Sequence, residues 1–226
     1  MIPVRKGSQR VKGKALRKIG NITLIEQAIQ CALTYFKPSE IYLNTNWDDL
    51  EFFSSKYKIK FFRRSDKLAS SSSTNDEFMN DFLLNSNCKR VVQLLPTSPY
   101  LLSEELKNFC NLALNSFNKA IVSVSSHRIA SVLEDGTPLN FARNKKNPPS
   151  QSMKAVYCYV GVLMSWERKT FLEQYEKKQC AYHGNENNIY FPLRFLSQLD
   201  IDTEEDLKEA QLLSNFLPIH TKFKTT

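Results

Sequence analysis

The sequence predicts an α/β domain built on a largely parallel sheet with helices on both faces. Along its 226 residues, apolar β-rich runs alternate with stretches of helical period, and parallel strands joined by crossover helices require that alternation. The two ends add a second observation: a cation-rich glycine loop follows the first apolar run, and an acidic segment precedes the last helical stretch. In sheets of this class ligands bind beyond the carboxyl ends of the strands, which is where the first loop falls.

The elements follow in order. Ile2-Pro3-Val4 reads as a short strand, followed by a Gly7-Ser8 turn, Gly13, and an amphipathic helix from Leu24 to Tyr35. Residues 40–45 read as a strand ending in polar residues, Trp47 to Tyr57 as a helix, and Ile59 to Phe62 as a strand. The serine-rich stretch from Ser70 to Thr74 has a linker's composition. Because it directly precedes Asn75-Asp76-Glu77, a helix-start signal, it reads as an ordered loop. Arg90 to Leu95 is a buried strand stopped by Pro96 and Pro99, Glu104 to Phe117 a helix, and Ala120 to Val124 a strand. The pattern then breaks. Residues 127–155, with Asp135-Gly136 and Pro148-Pro149, read as an insertion within a single domain spanning 1–226. A strand from Val156 to Met164, a helix from Arg168 to Lys177, and a final helix running to Leu213 complete the chain.

Composition narrows the class. With 42% hydrophobic and 24% charged residues the chain can bury a core as one domain, and no apolar run approaches membrane-spanning length. Its beginning lacks both the apolar segment and the cleavage pattern of a targeting peptide. The five cysteines are scattered without CxxC pairing, which points to reduced thiols and a cytoplasmic location. His127, His183 and His220 show no metal-ligand spacing and read as surface or hydrogen-bonded side chains.

Charge is concentrated at the start. Arg5, Lys6, Arg10, Lys12, Lys14, Arg17 and Lys18 all precede the first acid, Glu26, in a chain of net charge +8. A glycine loop between strand and helix presents backbone N–H groups and cations to a polyanion, so it reads as a phosphate-binding loop. The ATPase loop is excluded by spacing: five residues separate Gly7 from Gly13 and Ala15 follows Lys14, where that motif needs four intervening residues and then Ser or Thr. A nucleic-acid surface is disfavoured because the rest of the chain is close to neutral and carries no recognised motif. At the other end, Asp200 and Asp202 lie two apart on an extended segment and can aim both carboxylates at one point. Such a pair suits Mg²⁺, which binds through one or two carboxylates plus substrate phosphates. The competing reading, a helix cap at Asp202 or Thr203 with Glu204, Glu205 and Asp206 in the first turn, accounts for the later residues and does not need Asp200.

Four segments together resemble one family. Ile2 to Lys14 (IPVRKGSQRVKGK) is similar to the IPARGGSKRxPGK signature of the acylneuraminate cytidylyltransferases, the CMP-sialic acid synthetase family. Arg64 to Ala69 resembles its RPxxLA segment, Leu95 to Pro99 its QPTSP motif, and Asp200 to Leu207 its DIDTxxDL ending. The order is the family's and the segments span nearly the whole chain.

The resemblance implies a three-layer Rossmann-like nucleotidyltransferase fold with a mixed, mostly parallel sheet, and a homodimer whose arms come from the insertion. It also implies transfer of CMP from CTP to the anomeric hydroxyl of a 2-keto-3-deoxy acid sugar, with release of pyrophosphate, a reaction that serves cell-surface polysaccharide synthesis. By matching position, Arg5, Ser8, Arg10 and Lys14 hold the triphosphate, with Arg5, Arg10, Lys14 and Asp202 as the catalytic set. Arg64, Asn75, Thr97 and Ser98 contact the nucleotide, and Asp200 and Asp202 carry Mg²⁺. The beginning at Met1 leaves the first strand short for this family, which points to a few residues upstream.

The departures bear on the acceptor. Gln9 replaces a Lys, Ala15 an Asn, Leu95 a Gln, Leu101 an Arg and Val160 an Asn of the family patterns, while Lys6 and Lys12 add charge. Loss of hydrogen-bonding groups changes substrate choice more readily than reaction type, so the expected acceptor is a less hydroxylated nonulosonic or octulosonic acid, or another anionic acceptor. The alternative is an inactive nucleotide-binding homologue that serves as an interaction protein; retention of both aspartates speaks against it.

Overall fold

The computed structural model describes residues 1–217. Three short parallel strands, β1 (Ile2–Pro3), β2 (Tyr42–Thr45) and β3 (Lys60–Arg63), form one side of the sheet in the order β1-β2-β3. Four more strands, β4 (Arg90–Leu94), β5 (Ile121–His127), β6 (Val156–Glu167) and β7 (Ile189–Pro192), lie in the order β4-β6-β5-β7. Met1 joins the two groups, its backbone N donating to Val92 O at 2.8 Å and its carbonyl accepting from Leu94 N at 3.0 Å. The continuous order is therefore β3-β2-β1-β4-β6-β5-β7. Strand β6 runs antiparallel to both neighbours and β7 runs parallel to β5, so the sheet is mixed and mostly parallel.

Period-2 alternation divides the core into two layers. On one face, helices α1 (Leu24–Leu33), α2 (Glu51–Tyr57) and α4 (Ser103–Leu114) bring Ile25, Ile29, Phe53, Leu106 and Phe109 onto Ile2, Leu43, Ile121 and Leu163. On the other, α3 (Asn75–Leu84) and α5 (Arg168–Lys178) bring Phe78, Met79, Phe82 and Phe171 onto Val91, Val122, Met164 and Trp166. Helix starts are capped as the sequence pattern demands. Thr74 and Glu77 form a capping box on α3, and Thr203 and Asp206 form one on α6 (Glu204–Ser214).

A third, smaller core forms around a hairpin near the start of the chain. Between the first loop and α1 the chain makes an antiparallel hairpin, Lys18–Ile19 against Ile22–Thr23, turning at Gly20 with φ 59°. Its Ile19 and Ile22 pack with Leu24, Tyr100, Ile201, Leu207 and Ala210, and the Tyr100 hydroxyl donates to Ala210 O at 2.7 Å. This cluster docks α6 beside the start of the chain, which brings residues 200–202 to the first loop although they are far apart in sequence.

Other boundaries shift modestly. The expected helix from Trp47 begins with a 3₁₀ turn at Asp48–Leu50, and the expected strand from Ala120 continues to His127. Strand β7 has no counterpart in the sequence reading. Of the stretch 127–155 expected as an insertion, His127 ends β5 and residues 128–155 connect β5 to β6, with a turn at Asp135-Gly136, where Gly136 has φ 82°, and a bridge between Val132 and Pro138. Asn140 closes its base by donating to Ile129 O at 2.8 Å and Lys154 O at 3.0 Å. All five cysteines are free thiols, with Cys31 and Cys110 buried. His127 lies 2.9 Å from the Ser125 hydroxyl, and His183 packs on Tyr159 and Tyr182; His220 lies outside the described residues. No helix among the described residues is long and apolar enough to cross a membrane.

Candidate active site

A cleft of ≈ 590 Å³ opens at the carboxyl ends of β1, β3 and β4 and gathers the two terminal signals. Its floor is strand-end backbone. Val4 N donates to Asn44 O at 2.9 Å, which holds the end of β1 in register before the chain leaves the sheet at Arg5. The loop then returns through Gly13, whose φ of 61° favours glycine, into a 3₁₀ turn at Lys14–Leu16 closed by Leu16 N to Gly13 O at 2.8 Å. That turn delivers Lys14 into the cleft. Its Nζ donates to Ile201 O at 2.6 Å and to Asp202 Oδ1 at 3.1 Å, and the side chain is only 13% exposed.

The acidic pair is aimed by the residue between its members. Ile201 is buried in the small core and its N–H donates to Thr97 O at 2.9 Å. With Ile201 facing inward, extended backbone turns Asp200 and Asp202 the other way, and both line the cleft. Asp202 also meets Arg10 at 2.9 Å. Capping and site geometry coexist here: Asp206 Oδ2 accepts from Asp202 N at 2.9 Å and Thr203 N at 2.7 Å, leaving the Asp202 carboxylate for Arg10, Lys14 and the cleft.

Asp200 is the electrostatically uncomfortable member. Its Oδ1 is buried without a hydrogen-bond partner. Burial pushes its carboxyl above the usual range, the Thr97 hydroxyl pulls it back, and the neighbouring Asp202 charge pushes it up again. An orphaned carboxylate oxygen beside a second, half-exposed carboxylate fits a hard divalent cation. Among the described residues no cluster of three or more His, Cys, Asp or Glu is found.

The opposite wall carries Arg5, Arg64 and the serine loop. Arg5 donates through Nη1 to Ser70 O at 3.1 Å, which ties that loop to the first strand. Arg64 is 5% exposed, and burial followed by the nearby Arg5 charge lowers its guanidinium to about 10, so it remains a cation at neutral pH. Together Arg5, Arg10, Lys14 and Arg64 outnumber the two aspartates, an excess that suits a polyanion.

The cleft therefore unites Arg5, Ser8, Arg10, Lys14, Arg64, Asn75, Thr97, Asp200 and Asp202. Ser98 is not among the lining residues; it is buried beneath them with an unpartnered hydroxyl. Of the departures, Gln9, Ala15 and Leu95 line the cleft. Leu101 is instead a core residue and Val160 packs against the same core, so neither reaches the cleft. Lys6 and Lys12 are exposed outside it. Ser70, Ser71 and Ser73 also line the wall, a contribution whose only sequence signal was the unusual serine run ahead of α3. A second cavity of ≈ 490 Å³ lies at the amino ends of the strands, lined mainly by apolar groups including Tyr42, Phe82 and Val91. Its lining carries a single carboxylate, Glu40, with no carboxylate pair opposed by cations.

Residues 1–221 match the family model described as Cytidylyltransferase. The chain belongs to the cytidylyltransferase family. No curated protein matches it. Among solved structures, this cytidylyltransferase is similar to a CMP:2-keto-3-deoxy-manno-octonic acid synthetase complexed with CTP, at 13% identity and TM-score 0.71, over 96% of this chain and 97% of the other. It is similar to the 4-diphosphocytidyl-2C-methyl-D-erythritol synthase of Anaerococcus prevotii, at 16% identity and TM-score 0.65, over 95% of each chain. A cytidylyltransferase from Leptospira borgpetersenii matches at 16% identity and TM-score 0.57, over 100% and 97%. At these identities the likeness establishes the nucleotidyltransferase fold, and the family model establishes the class of enzyme.

Proposed function

We propose that this cytidylyltransferase transfers CMP from CTP to the anomeric hydroxyl of a 2-keto-3-deoxy acid sugar, a nonulosonic or octulosonic acid, and releases pyrophosphate. The observation that carries this reading is the convergence of Asp200 and Asp202 with Arg10 and Lys14 on one cleft at the strand ends. The neighbour whose name specifies a 2-keto-3-deoxy acid sugar supports the acceptor class.

The division of labour follows from position. Arg5, Ser8 and Arg10 hold the triphosphate, and Lys14, anchored by Ile201 O, places a fixed charge where the leaving pyrophosphate gains charge. Asn75 and Arg64 on the opposite wall, with Thr97 at the floor, contact the nucleotide. Transfer of this kind rests on positioning and on neutralising charge at the phosphoryl oxygens. Asp200 and Asp202 would hold Mg²⁺, which when bound supplies Lewis-acid stabilisation of phosphate oxygens. Acidic-sugar selection falls to the part of the cleft bordered by Gln9, Ala15 and Leu95, where fewer polar side chains meet the substrate.

The insertion is the proposed homodimer arm. Its Ile129 is 64% exposed, and Val132, Leu133 and Leu139 are about half exposed, an apolar set suited to a second copy. Pyrophosphate release from CTP and Mg²⁺ with a panel of 2-keto-3-deoxy acids tests the reaction. CTP binding without release for any acceptor would instead favour a nucleotide-binding homologue.

A further inference from the structure

Arg64 is a buried cation held entirely by neutral groups. Its backbone N donates to Thr45 O at 2.9 Å just beyond the β2/β3 pairing, and its side chain folds back across β2. Nε donates to Asn44 Oδ1 at 2.6 Å and Nη2 to Asn44 O at 3.1 Å, so one residue receives two of its hydrogen bonds. The guanidinium carbon Cζ lies 4.3 Å from the centre of the Phe78 ring. No carboxylate among the described residues forms an ion pair with it. Asp81 is near enough to favour its charge but is not within ion-pair distance. The remaining nitrogen, Nη1, makes no hydrogen bond to a described residue, and Arg64 lines the cleft.

Buried arginines ordinarily meet a carboxylate, because an unpaired buried charge is costly. A carboxylate at position 44 would satisfy the charge but would also neutralise it. The Asn44 amide accepts the same Nε–H while leaving the positive charge intact, at the expense of its own Nδ2, which is buried with no partner. We propose that Asn44 is a positioning residue for nucleotide binding: it orients Arg64 and keeps its charge uncompensated, so that the free edge of the guanidinium donates to oxygen acceptors of the bound nucleotide. Asn44 is not one of the residues lining the cleft, and its side chain acts through Arg64. The inference rests on the reading of this cleft as the nucleotide site.

The test uses the full chain with CTP and Mg²⁺, reading CTP affinity by calorimetry, melting temperature, and the KM for CTP and kcat by pyrophosphate release with the 2-keto-3-deoxy acid of the panel that serves as acceptor. Asn44→Ala should weaken CTP binding by about tenfold, the scale of a hydrogen bond to a charged group, with kcat held within about twofold because chemistry occurs at the other wall. Asn44→Asp separates positioning from structure. The new carboxylate should pair with Arg64 and keep the melting temperature at or above that of the parent, yet CTP affinity should fall. In an Arg64→Ala background, Asn44→Ala should cause no further loss. Unchanged CTP affinity in Asn44→Asp, or an undiminished Asn44→Ala effect without Arg64, would overturn the proposal; should Asn44→Ala fail to fold, Asn44→Asp alone decides. CTP binding weakened by these variants in a protein that never releases pyrophosphate would sustain the positioning role and reject the reaction. Absence of CTP binding to the parent protein would reject both.

Discussion

Asp200 shows most directly what single residues cost and supply here. A carboxyl whose native value is raised binds its proton more tightly folded than unfolded, so it destabilises the fold as pH rises. The cost is absent below its ordinary value of 3.8, grows through the interval up to the raised native value, and is complete above it. Asp200→Asn should therefore melt at a higher temperature than the parent at neutral pH, with the difference vanishing in acid, while losing transferase activity. Thermal melts across pH check the sign; a variant less stable at neutral pH would show that Asp200 is not strained. Asp202 sits in a different environment, 43% exposed at the side chain and flanked by two cations. Since Lys14 keeps its bond to Ile201 O without it, Asp202→Ala should lower turnover by about a hundredfold or more with its circular dichroism unchanged. A variant with unimpaired turnover would contradict the assigned role.

At the level of elements, α6 is a lever for the acidic pair. Its capping box fixes the backbone at Asp202 and Thr203, so Thr203→Ala should cost about 1 kcal/mol of stability and loosen nucleotide affinity together, measurable by denaturant titration and CTP binding. Helices were the most legible elements in the sequence because their caps are local: Thr74 ahead of α3 and Thr203 ahead of α6 announce themselves within four residues. The hairpin at Lys18–Ile19 and Ile22–Thr23 was not, because two-residue strands carry no measurable alternation; the Gly20-Asn21 pair was its only signal. Strand β7, at four residues, is also short and follows a polar stretch, and it owes its existence to pairing with β5. The antiparallel course of β6 depends on the non-helical insertion before it, which no periodicity encodes. Within the cleft, the cations and aspartates were readable from residue type and order. The cradle formed by Asn44 and Phe78 was not, since it joins β2, β3 and α3 through a side chain folding backward over the sheet.

Across the whole molecule, the fold converts distant chain ends into one site: the small core around Ile201 and Leu207 sets the acidic pair against the first loop, and the sheet carries Arg64 to the facing wall. The insertion stands outside that unit, joined at its base through Asn140. Replacing Ile129, Val132, Leu133 and Leu139 by serine should leave the melting transition nearly unchanged while shifting the mass in light scattering from twice 26.1 kDa to the single chain. A parent protein that is already monomeric would remove the arm's proposed role. Group transfer from CTP to an acid sugar is read by mass-resolved product analysis with pyrophosphate quantified in parallel. With CTP, Mg²⁺ and a panel of eight- and nine-carbon 2-keto-3-deoxy acids, one CMP-sugar should form in step with one pyrophosphate. Bound CTP that remains intact with every acid sugar would contradict this transfer.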